Sequence, residues 1–100
     1  MTTIYLDNEI QVGIFLTLYE YPKGLSRDKI AEKLDIPRTT IYDNIIKILA
    51  KNVNNIPYIK VYTNKITLLR GRPKVYYYIP KGIRIHKLNF KVVNNEKDIL

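Results

Sequence analysis

The sequence predicts an α+β fold: three helices, then a β-hairpin, then a C-terminal extension. Three observations predict it. From Asn8 to Lys51 the apolar residues recur at three- and four-residue steps, the period of a helix that buries one face. From Tyr58 to Ile79 the chain is instead rich in β-branched and aromatic residues that partly alternate, the mark of strands. Pro22, Asp35, Pro37, the Asn-rich run ending at Pro57, and Pro80 punctuate these stretches where elements should end.

Taken in order, residues 1–6 form an arm or a first strand around Ile4, Tyr5 and Leu6. Asn8 with Gln11 three residues on is a capping-box pattern, so a first helix starts here and runs to about Tyr21, where Pro22 stops it. This helix has two apolar stripes: Ile10, Ile14, Leu18 and Tyr21 on one side, and Val12, Phe15, Leu16 and Tyr19 nearly opposite. The helices that follow can cover one stripe. The other needs the domain's own sheet and tail, or a second subunit.

After a turn at residues 22–24, Leu25 suits a short strand and residues 26–34 a second helix. Ser26 is its N-cap, Asp28 complements the positive end of its dipole, and Ile30, Ala31 and Leu34 line one face. Asp35 is one of the few non-glycine residues that tolerates a left-handed turn, and Pro37 suits the first position of a third helix over residues 38–51. In that helix Ile41, Ile45, Ile48 and Leu49 point one way. Thr39, Asp43, Ile46, Lys47 and Ala50 point the other way, with Arg38, Thr40 and Tyr42 on the flanks.

Residues 52–57 then break the helical pattern. Residues 58–69 read as one strand, or two with a kink near Asn64; Arg70 to Lys74 is a turn carrying three positive charges; residues 75–79 form a strand that Pro80 ends. Tyr76, Tyr77 and Tyr78 invite stacking on bases, but alternation splits them, Tyr77 on one face and Tyr76 and Tyr78 on the other, so that one face is core and the other lines a groove or meets solvent. Beyond residue 80, Ile83 and Ile85, then Leu88, Phe90 and Val92, alternate in two phases, as in a strand with an irregularity, while Ile85, Leu88 and Val92 also fit a helix. Residues 1–80 thus make the main domain. Residues 81–100 are an extension that covers the first helix or meets a second subunit, with a frayed acidic end and His86 as a half-buried packing residue.

Bulk properties exclude several classes. One hundred residues make a single domain. No cysteine is present and His86 is alone, which rules out thiolate metal sites and imidazole clusters, and no paired carboxylates, Ser/His set or phosphate loop suggests an enzyme or a cofactor. No apolar run is long enough for a membrane span, and the N-terminus lacks the order of a signal peptide, so the expectation is an intracellular protein. Abundant Ile, Lys, Asn and Tyr with little Ala hints at an AT-rich archaeal or viral source, the host cytoplasm being the location if viral. The net charge is +8, and no Asp or Glu lies between Asp43 and Glu96, an interval holding eleven Lys and Arg. A basic half of this kind suits a polyanion.

The stretch LSRDKIAEKL, a tight turn, RTTIYDNIIKIL and then RGRPKVYYYIP resembles winged helix-turn-helix regulators of archaeal, bacterial and archaeal-virus type: supporting helix, recognition helix and basic wing. Asp35 departs from the Gly often found at the turn, and Pro37 from the usual capping Ser or Thr; Arg-Gly-Arg-Pro also resembles an AT-hook segment. The resemblance implies a DNA-associated homodimer, binding double-stranded DNA in a sequence-specific way at half-sites about one helical turn (~34 Å) apart. With the third helix in the major groove, Arg38 suits guanine, the Thr39 methyl suits thymine and Asp43 accepts from cytosine N4. Thr40, Tyr42 and Lys47 then meet phosphates, and Arg70, Arg72 and Lys74 supply the wing contacts. The alternatives are a non-specific architectural DNA-binding protein, or a protein-interaction module of a transcription or replication complex.

Overall fold

A computed structural model describes residues 1–64 and 74–93. The chain runs β1 (Thr2–Leu6), α1 (Glu9–Tyr19), β2 (Leu25–Ser26), α2 (Arg27–Leu34), α3 (Arg38–Leu49), β3 (Asn52–Val53), β4 (Ile56–Pro57), β5 (Lys60–Asn64), β6 (Lys74–Tyr78), α4 (Lys81–Arg84) and β7 (Leu88–Val92). It is a mixed α/β domain in which, among the described residues, the helices pack with three small sheets, ordered β1-β7, β2-β6-β5 and β3-β4. Of the expected turn from Arg70 to Lys74, Lys74 belongs to β6; residues 70–73, with Arg70 and Arg72, lie outside the described residues, as do residues 65–69 of the expected strand and the end from 94 to 100.

Local chemistry explains the helix boundaries. The Asn8 side chain accepts from the Gln11 backbone N–H at 2.9 Å, capping α1. The reciprocal arm of the capping box is displaced by one residue: Gln11 Oε1 accepts from the N–H of Asp7 at 2.9 Å rather than from that of Asn8. α1 ends at Tyr19, two residues before the expected stop, with Glu20 as its C-cap. Ser26 caps α2 by accepting from the Lys29 N–H at 3.3 Å, and Asp35 ends it in the left-handed conformation, φ 55° and ψ 47°. Pro37 is the residue before α3 rather than its first helical residue, and it offers no side-chain cap. α3 stops at Leu49, two residues short of the expected end.

Ile14, Phe15 and Leu18 of α1, Ile30 of α2, and Ile41, Ile45 and Ile48 of α3 are fully buried in one core with Ile4 and Leu6 of β1. The extension joins that core. Lys81–Arg84 forms a single helical turn that seats Ile83, and Leu88–Val92 pairs in parallel with β1, Thr2 opposite Leu88 through Leu6 opposite Val92. The two-phase pattern past residue 80 is therefore a short helix followed by a strand, not one irregular strand and not one helix.

This tail lies against Phe15 and Tyr19 of the second stripe of α1. The Phe90 ring meets Phe15 edge to face at 5.5 Å, Tyr58 meets it from another side at 6.3 Å, and the Arg84 guanidinium lies 4.5 Å from the centre of the Tyr19 ring. Leu16 stays 47% exposed. His86 is exposed, against the expectation of a half-buried residue: it follows α4 in the turn leading to β7, where nothing among the described residues packs over it. Asn52 to Pro57, expected only as a break, is a small hairpin whose turn residues Asn54 and Asn55 both have positive φ, 51° and 65°. Two such residues match the twist of antiparallel strands, and Asn tolerates the conformation.

Candidate nucleic-acid interface

The face of α3 turned from the core carries the side chains singled out in the sequence. Arg38, Thr39, Tyr42, Asp43, Ile46 and Lys47 are exposed, whereas Ile41, Asn44, Ile45 and Ile48 are buried. Thr40 is half-buried at the boundary. The helix thus presents one arginine, one lysine, one aspartate, a hydroxyl, a phenol and an apolar tip at Ile46 to solvent. These groups can donate to guanine or phosphate, accept from cytosine, and pack on a methyl.

Arg38 and Tyr42 have neighbours on α2. The Arg38 guanidinium lies 3.5 Å from Asp28 Oδ1, and both side chains are more than 60% exposed. A pair this open is worth little and is easily exchanged for another acceptor. The Arg27 guanidinium sits 5.1 Å from the centre of the Tyr42 ring, holding that ring along the start of α2.

Lys74 reaches the same region from the sheet. β6 pairs with β2 on one side and β5 on the other, and an open groove of about 880 Å³ runs between the start of α2, Tyr42 of α3 and Lys74 to Tyr77 of β6. Asp28 and Glu32 also line it, paired loosely with Arg27 and Lys29 at 3.8 and 3.9 Å, so Lys74 is its one cation without an acidic partner among the described residues. The α2 N-terminus opens here too, adding the positive end of its dipole. Tyr77 forms part of the wall; burial pushes its phenol above the ordinary value of 10.0, so it stays a neutral packing group. Six of the nine expected contact residues therefore fall on α3 and one, Lys74, on the adjoining groove, while Arg70 and Arg72 lie outside the described residues.

What aims α3 is a polar network that sequence reading passed over. Asn44, only 7% exposed in the middle of the isoleucine face, accepts from Asn8 Nδ2 at 3.0 Å and from Gln11 Nε2 at 3.1 Å. It donates to the Thr40 carbonyl at 2.9 Å. Gln11, fully buried, also donates to Asp7 Oδ2 at 3.3 Å, and Lys51 reaches Asp7 Oδ1 at 2.9 Å. The start of α1 and two points along or just beyond α3 are thereby fixed to each other by directional bonds. The Lys51 hydrogen bond is the main reason the Asp7 carboxyl titrates below its ordinary value of 3.8. The available signal was Asn44 itself, a polar residue at a core position between Ile41 and Ile48.

The basic half of the chain is not all turned to one surface. Lys51 is spent on Asp7 and Arg84 on Tyr19, and Arg84 Nη1 is buried without a hydrogen-bond partner among the described residues. Among the described residues no group of His, Cys, Asp and Glu is placed to hold a metal ion, and no helix is long and apolar enough to cross a membrane. No family model, curated protein or solved structure matches the chain.

Proposed function

We propose that the chain is a winged helix-turn-helix protein that binds double-stranded DNA in a sequence-specific way, as a homodimeric transcription regulator. The observation that carries this reading is the division of α3. One face is buried and bonded to α1, and the other offers Arg38, Thr39, Asp43 and Lys47 to solvent beside the Lys74 groove. A helix bonded on one face, with hydrogen-bonding side chains on the other, suits the major groove, and Lys74 beside it suits the flanking backbone.

Arg38, Thr39 and Asp43 are assigned to base edges; Thr40, Tyr42 and Lys47 to phosphates; Lys74, with Arg70 and Arg72 from outside the described residues, to the wing contacts. The exposed Ile46 adds a methyl contact for thymine. The dimer is supported by Leu16 of α1 and Val92 of β7, apolar side chains that are each 47% exposed. Half-sites about one helical turn (~34 Å) apart follow from a two-fold arrangement of this kind.

The test is fluorescence anisotropy with labelled duplexes of varied sequence across a salt series. Binding that falls linearly with log salt, with a preference among sequences that survives at higher salt, supports the reading. Absence of duplex binding at low salt sinks it.

A further inference from the structure

The hairpin carries a second surface on the side away from the core. In β5 and β6, Lys60 lies opposite Tyr78 and Tyr62 opposite Tyr76. Strand alternation therefore places Lys60, Tyr62, Lys74, Tyr76 and Tyr78 on one face, while Tyr77 turns inward and is buried. The Tyr62 ring lies between its neighbours. It stacks on Tyr76 with centroids 5.3 Å apart and planes 21° apart, and meets Tyr78 at 5.8 Å and 62°.

The ring column is held in place. The Tyr62 hydroxyl donates to the Lys23 carbonyl at 2.8 Å, across the sheet from its own strand. Gly24 makes room for this: a Cβ there would come within 3.4 Å of both Tyr62 and Tyr78. Tyr76, at the end of the column nearest Lys74, has a ring partner on one side only among the described residues. Tyr62 remains 42% exposed despite its contacts. Lys74 and Lys60 are exposed at the two ends, neither paired with an acid among the described residues, and the sequence has no acid between Asp43 and Glu96.

We infer that this tyrosine face is a binding site for unpaired nucleic acid, in which a base extends the Tyr78–Tyr62–Tyr76 column on the open side of Tyr76 while Lys74 and Lys60 neutralise phosphates of the strand. A strand of phosphates with flat bases matches both halves of the surface, the rings and the uncompensated cations. An apolar protein partner would match the rings alone and would bury the two lysines without counter-charges. A base stacks without regard to its identity, so the site is tolerant of sequence. Its rings lie on the opposite face of the sheet from Tyr77, and through Lys74 and Tyr76 the site adjoins the groove beside α2 and Tyr42.

With nine tyrosines and no tryptophan, the chain reports stacking directly through tyrosine emission. The full chain is titrated with oligothymidylate and oligouridylate of about 12 nucleotides and, separately, with a duplex of the same length. Single strands are expected to bind and quench the emission. Tyr76→Leu should weaken single-strand binding about tenfold and remove most of the quench, and Tyr76→Phe should keep both. A preference for one sugar identifies the strand as DNA or RNA, and equal response assigns either.

If Tyr76→Leu fails to fold by circular dichroism, Lys60→Glu at an exposed position carries the test with an expected loss of about threefold or more. Single strands that neither bind nor quench overturn the inference, as does a folded Tyr76→Leu that binds them like the unaltered chain. So does quenching that rises with protein concentration in the absence of oligonucleotide, which would make a second copy of the chain the occupant. Loss of duplex binding alone overturns the role of α3 and leaves this site standing.

Discussion

Asn44→Ala is the substitution through which the aiming of α3 can be measured. It removes an acceptor that takes two hydrogen bonds, from Asn8 Nδ2 and Gln11 Nε2, and a donor to the Thr40 carbonyl. The donors left behind are not equal. Asn8 is half-buried and its amide can turn to water, whereas Gln11 is fully buried and keeps only the longer bond to Asp7, 3.3 Å. One buried donor is therefore left under-satisfied, which costs about 1–3 kcal/mol, and the small cavity adds to it. An expected loss of about 2 kcal/mol lowers the melting temperature of a domain this size by roughly 10 °C. The assay is urea unfolding followed by circular dichroism, run as a double-mutant cycle with Gln11→Ala. If the two residues act as one unit, the double mutant loses at least about 0.5 kcal/mol less than the sum of the singles. A loss below about 0.5 kcal/mol for Asn44→Ala, or strict additivity, would refute the network as the element that seats the helix.

The other predictions concern charge, backbone and division of labour. Asp7 titrates below 3.8 in the folded chain, held down first by Lys51, so its contribution is present above the unfolded value and disappears as pH falls through the folded one. Thermal melts should therefore decline more steeply below about pH 4 than those of Asp7→Asn, by no more than about 1 kcal/mol because the pair is partly exposed; identical profiles would contradict this. Gly24 has φ +99° and a Cβ there would meet the Tyr77 carbonyl at 2.9 Å, so Gly24→Ala should cost about 2 kcal/mol or more, read by urea unfolding. Under the proposed function, Arg38→Ala relaxes discrimination at one or two base pairs by about 1–3 kcal/mol each, whereas Lys74→Ala weakens all duplexes alike and flattens the salt slope. Equal losses on every sequence for both variants would defeat that division.

The helix pair was legible because its signals are local. Ser26, Asp35 and the spacing of Ile30, Ile41, Ile45 and Ile48 each act within a turn or two of chain, and the structure places them as capping residue, left-handed turn and core. The alternation of Tyr76, Tyr77 and Tyr78 was legible for the same reason. The parallel pairing of β1 with β7 was not, since it joins residues more than eighty positions apart and neither strand carries a mark of its partner. That pairing decides what covers the middle of the second apolar stripe of α1: Phe90 is laid on Phe15, while Leu16 and Tyr19 stay exposed. Two features left signals that went unread. Asn54 and Asn55 are residues suited to a tight hairpin turn, and Asn44 interrupts an isoleucine face where only a bonded amide belongs. Lys51 and Arg84, counted with the basic half, are used inside the fold, which no tally of charge reveals.

Enrichment of DNA from a random-sequence pool at two salt concentrations tests the proposed function most directly. The account predicts a consensus with two-fold symmetry, its half-sites about one helical turn apart, that persists at the higher salt. Binding that enriches no sequence and vanishes with added salt would contradict sequence-specific recognition by α3.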